Sequence, residues 1–106
     1  MLRSVGQRRP VTDSGDDPRV SALRTAVARL RRELAAHPAE FPDRGIAEEE
    51  LAALHAMALD GAPEAARLRR SLLLIAAAIG SVSALAVAVA SVRDAVELFG
   101  EPGRGA

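Results

Sequence analysis

Cysteine, tryptophan, tyrosine and lysine are all missing from this 106-residue chain, and its aromatic residues are Phe41 and Phe99 alone. Without cysteine there is no disulfide, no thiolate zinc site and no cysteine nucleophile, although the compartment stays open. Every one of the fourteen basic residues is arginine. In a chain this rich in alanine, that fits a GC-rich coding sequence and gives the arginine count little functional weight. Fourteen acidic residues balance them, and a formal net charge of zero argues against a nucleic-acid binder. The alternating β-branched pattern of a strand is nowhere present. Nor is there a Gly-rich phosphate loop, an HExxH or a GxSxG motif, so we expect no enzyme and no cofactor.

What the chain does have is apolar mass made of Ala, Val and Leu, with 49% of residues hydrophobic. Ala and Leu favour helix, and the expected fold is all-α with three principal helices in one small domain. Residues 17–100 form the helical domain. Residues 1–16 and 101–106, rich in Gly, Pro, Ser and charge, are expected to be disordered tails. The first ten residues, MLRSVGQRRP, lack the apolar run of a secretory signal.

Helix 1 is expected to begin at Asp17-Pro18, with Asp17 as cap and Pro18 at the first helical position, where its missing N–H costs nothing. Val20, Leu23, Val27, Leu30 and Leu34 then recur at alternating spacings of 3 and 4, a heptad seam of the coiled-coil kind. Arg29 and Glu33 make an i,i+4 pair off the seam. Pro38 ends the helix. The stretch Pro38 to Gly45 reads as a stiff turn, with Phe41 plugging the end of the core.

Helix 2 is expected from about Ile46 to Asp60. Glu48, Glu49 and Glu50 would complement the helix dipole in its first turn. Successive helix positions point about 100° apart, so three in a row do not converge on a metal ion. Ala47, Leu51, Leu54 and Ala58 form a thin apolar stripe, and Gly61 suits the position after the helix end. His37 and His55 lie on different helices without further ligands, so no metal site is expected. His37, at a helix end, would interact with the terminal carbonyls.

The dominant stretch is Ser71 to Val92, 22 consecutive residues without a charge, following Arg67, Arg69 and Arg70. Helix 3 is expected to start at Pro63-Glu64 and run to Phe99, continuous or mildly kinked, with Gly80-Ser81-Val82-Ser83 as its weak point. Two environments suit it. As a bilayer span it would cover about 33 Å, close to the roughly 30 Å hydrocarbon core, with the arginines cytoplasmic. Ala76, Gly80, Ala84 and Ala88 would supply a small-xxx-small ridge. As a protein-packed helix it would use a seam of Leu68, Leu72, Ile75, Ile79, Val82, Ala86, Val89, Arg93 and Val96, which runs beyond the uncharged window. No Trp or Tyr belt marks an interface, and we favour the protein-packed form.

The runs DPRVSALRTAVARLRREL, HPAEFPDRGIAEEELAAL and RLRRSLLLIAAAIGSVSAL together resemble a family of small actinobacterial helical proteins of unknown function, over roughly residues 17 to 100. The resemblance implies no activity and assigns no functional residue.

The expected function is a cytoplasmic, non-enzymatic interaction or oligomerisation module. Its core or self-association residues would be Val20, Leu23, Val27, Leu30 and Leu34 on helix 1, with Leu72, Ile75, Ile79, Val82 and Val89 on helix 3. Partners would be a second copy or an unidentified protein, not nucleic acid. The alternative is a single-pass protein of the cell membrane, spanning at about 71–92 with helix 1 recruiting a cytoplasmic partner.

Overall fold

A computed structural model describes residues 17–38, 40, 42–61 and 63–100. Both expected tails and the expected Phe41 plug lie outside the described residues.

Among the described residues the fold is all-α, with four α-helices and no strand. They are α1 (Pro18–Ala36), α2 (Arg44–Asp60), α3 (Ala65–Ile79) and α4 (Ala86–Gly100). The expectation of one long C-terminal helix is corrected: the chain turns at Gly80–Val82, passes through a short 3₁₀ turn (Ser83–Leu85) and folds back as α4. Gly80 keeps helical angles, and its N–H still bonds Ala76 O at 2.8 Å. Val82 is extended (φ −83°, ψ 103°), and there the helix direction is lost. Its N–H bonds Ile79 O at 3.0 Å, and Leu85 N–H bonds Val82 O at 2.9 Å, so few backbone groups at the corner go unsatisfied.

Length explains why the break is favoured. A continuous helix from Pro63 to Phe99 would measure about 55 Å, whereas α1 and α2 each reach under ~30 Å. Much of its apolar face would stay in water. Folding back lets α4 pack along α1 and α3, and it buries Leu85, Val92 and Val96 completely or nearly so. Each such side chain contributes about 1.5–3 kcal/mol before entropy costs.

The principal contacts join α1 to α2, α2 to α3, α3 to α4 and α4 back to α1, a closed ring of four. Neighbours run antiparallel. The Arg19 guanidinium at the start of α1 lies 5.0 Å from the Phe99 ring centroid at the end of α4. Arg44 at the start of α2 reaches back to the end of α1. Gly100 at the end of α4 lies against Arg69 near the start of α3.

Local chemistry sets the ends. Asp17 caps α1, its carboxylate accepting from Arg19 N–H at 2.9 Å, with Pro18 in the first turn. The carbonyls at the far end of α1 are met by Arg44, whose guanidinium donates to His37 O at 3.2 Å and to Leu34 O. His37, expected to interact with these carbonyls, also meets one of them, its backbone N–H bonding Leu34 O at 3.1 Å. Because α2 begins at Arg44, two residues earlier than expected, the Glu48–Glu50 triplet lies beyond the first turn. There the dipole has fallen off, and dipole complementation is not its role. Glu48 instead pairs with Arg44 at 3.3 Å. Gly61 closes α2 at φ 82°, in the left-handed region that favours glycine. No helix among the described residues is long and apolar enough to cross a membrane.

Candidate interaction surface

The ten residues expected to form the core or to drive self-association are used chiefly inside the chain's own core. Val20, Leu23, Val27, Leu30 and Leu34 are all buried on α1. Ile75 and Ile79 are fully buried and Val89 is 7% exposed, while Leu72 and Val82 pack at the margin of the same core. The stripe on α2 also packs there, with Ala47, Leu51, Leu54 and Ala58 buried.

The seam of the C-terminal half is corrected in two places. On α3 the core-facing residues are Leu68, Ser71, Ile75 and Ile79, so Ser71 rather than Leu72 takes the fully inward position. On α4 they are Ala88, Val89, Val92, Ala95 and Val96, following Leu85 in the 3₁₀ turn, whereas Ala86 and Arg93 are exposed. The corner shifts the helical phase by about one residue, which carries the large side chains Leu85 and Val92 inward.

Ser71 is a polar residue in an apolar interior, and it has a partner. Its hydroxyl donates to Glu50 Oε1 at 2.8 Å, tying α3 to α2. This gives Glu50 a role that its place in an acidic triplet did not suggest. The available signal was Ser71 standing three residues after Leu68 and four before Ile75, on a helix face that is otherwise apolar.

With the seams consumed internally, the surface must be sought elsewhere. The exposed large apolar residues of the uncharged run are Leu73 at 69%, Leu74 at 38% and Val87 at 67%. Leu73 and Leu74 lie midway along α3 and Val87 in the first turn of α4, with the small exposed residues Ala76, Ala77 and Ala84 between them in sequence. The nearest charges along the chain are Arg70 before the run and Arg93 after it. Between Arg70 and Arg93 the α3–α4 hairpin thus exposes apolar side chains with no ionised group in the same run.

A larger concavity lies between α1 and α4, an open groove of about 620 Å³ whose walls include Ser21, Ala22, Ala26 and Ala95. Arg29 at its edge is engaged by Glu33 at 2.9 Å. Among the described residues no three His, Asp or Glu side chains are grouped as metal ligands.

These features define a small antiparallel four-helix protein with exposed apolar residues on α3 and α4. The chain belongs to a family of unknown function (DUF5955), whose model matches residues 12–100. No curated protein and no solved structure matches it.

Proposed function

We propose that the protein is a non-enzymatic, self-associating helical module of the cytoplasm, joined to a second copy through the exposed apolar residues of its α3–α4 hairpin. The observation that carries this is the exposure of Leu73 and Val87, at 69% and 67%, within a run of uncharged residues. Single exposed apolar residues need no explanation, but several on one uncharged region mark a contact surface. An uncharged surface also suits its own copy. In a two-fold interface a residue of one patch meets another residue of the same patch on the second copy, and an uncharged apolar patch is complementary to itself without any matching of charges. Exposed alanines beside them let two helices approach closely.

Light scattering behind a sizing column tests this. The wild type should elute as a defined oligomer. The double substitution Leu73→Glu and Val87→Glu should give a monomer with unchanged helical circular dichroism and thermal midpoint. A wild type that stays monomeric up to high concentration would count against the proposal.

A second reading uses the same stretch. The 22 uncharged residues after Arg67, Arg69 and Arg70 favour membrane attachment, with α3 and α4 opening from the ring to enter the bilayer. Retention in carbonate-washed membranes, with release only by detergent, would support it over the oligomer.

A further inference from the structure

The outer side of α1 carries a feature that self-association does not use. Ser21, Arg24, Thr25 and Ala28 recur along one side of that helix, and with His55 of α2 they line an open cleft of about 350 Å³. Four of these five residues bring a hydrogen-bond donor: two hydroxyls, a guanidinium and an imidazole. No carboxylate lines the cleft.

Two of the groups lack a partner. Nδ1 of His55 is buried and makes no hydrogen bond among the described residues. A buried polar atom left in that state is uncommon, and a bound ion is one of its ordinary explanations. Arg24, like Arg31 and Arg32, has no ion pair among the described residues, whereas Arg19 and Arg29 on the same helix hold Asp17 and Glu33 at 3.0 and 2.9 Å. The cleft therefore combines a permanent positive charge and two hydroxyl donors, with no carboxylate among its lining residues to satisfy them.

We infer that this cleft binds a phosphoryl group, with Arg24 as its principal anchor. A guanidinium offers parallel N–H donors that match two oxygens of a phosphate, which a carboxamide of similar reach does not. Ser21 and Thr25 donate to the remaining oxygens, and the His55 ring forms the α2 wall of the cleft. The cleft is several times larger than a phosphoryl group, and its open mouth leaves the rest of a phosphorylated ligand in solvent.

The test is nuclear magnetic resonance of the full chain, following the two histidine rings and the backbone amides during titration with inorganic phosphate. Sodium chloride at matched ionic strength and pH is the reference. The site predicts a saturable shift of the His55 ring nitrogens and of the Ser21, Arg24 and Thr25 amides, with the His37 ring moving no more than in chloride. Arg24→Gln, an exposed position where folding is retained, should weaken binding about tenfold or more. Thr25→Val should weaken it less. A non-saturating shift equal to that in chloride would overturn the inference, as would saturation unaffected by Arg24→Gln. Vesicles of phosphatidic acid in phosphatidylcholine separate the sources. Co-sedimentation abolished by Arg24→Gln supports the site with a lipid headgroup as ligand. Phosphate binding without co-sedimentation supports it with a soluble one.

Discussion

Ser71 on α3 donates its hydroxyl hydrogen to Glu50 Oε1 on α2 at 2.8 Å, and the two ends of that bond sit in different surroundings. Ser71 is 6% exposed, whereas Glu50 is half-buried. Removing the acceptor strands a hydroxyl in the core, which costs about 1–3 kcal/mol. Removing the donor leaves a carboxylate that water can reach, at about 1 kcal/mol or less. Urea unfolding should therefore show Glu50→Ala losing more stability than Ser71→Ala. The reverse order would mean that the bond does not carry the α2–α3 contact.

Arg44 joins the end of α1 to the start of α2 through His37 O and Leu34 O. Arg44→Ala should destabilise the protein by about 1–2 kcal/mol, since two terminal carbonyls lose a charged donor. Hydrogen exchange should quicken at the His37 amide. Arg44→Lys should recover less than half of the loss, because one ammonium on a flexible stem cannot reproduce the forked donors.

Gly80 tests the corner. A Cβ built there would run into the Ala76 carbonyl oxygen, which is backbone and cannot swing aside. Replacing glycine with alanine gains about 1 kcal/mol of helix propensity. Overpacking of this kind costs about 1–3 kcal/mol. The clash should win, and Gly80→Ala should lower the thermal midpoint. A raised midpoint would show that the corner tolerates a continuing helix.

The start of α1 should be acid-sensitive. Hydrogen bonds from the Arg19 side chain, and then from its backbone N–H, hold the Asp17 carboxyl below the usual carboxylate range. A carboxyl lowered on folding contributes its stabilisation above the unfolded-state value and loses it as pH falls through the folded one. Protection of the first-turn amides of α1 should therefore fall as pH drops below about 4. Asp17→Asn should flatten that dependence.

Much of the fold was legible because punctuation and periodicity agreed. Asp17, Pro18 and Pro38 delimit α1 to within a residue or two, and all five residues of its seam are buried. Gly61 ends α2 as its backbone freedom requires. The α3–α4 corner was harder. Gly80-Ser81-Val82-Ser83 is locally weak, but spacings of 4 and 3 continue across it from Ile79 to Val82, Ala86 and Val89. Periodicity alone does not record a reversal of direction. What decides the matter is tertiary: α4 buries Val92 and Val96 against its neighbours only after folding back. The Arg44 cap and the Ser71–Glu50 bond were hidden for the same reason, since each partner lies on another helix. The exposed Leu73, Leu74 and Val87 were visible as residues off the seam, and their exposure follows from the fold.

The corner between α3 and α4 underlies both the ring of four helices and the placing of the exposed apolar residues proposed to self-associate, so its geometry is the point to measure first. The absence of cysteine makes this direct. Spin labels attached at Arg70→Cys and Glu97→Cys, both exposed positions, report the separation by double electron–electron resonance. Antiparallel neighbours with axes about 8–10 Å apart predict a narrow distribution within about 25 Å. The labelled chain diluted in excess unlabelled protein keeps the distance intramolecular. A single continuous helix would instead place the two positions about 40 Å apart, at roughly 1.5 Å per residue. A peak at that longer distance would contradict the hairpin and the interaction surface built on it.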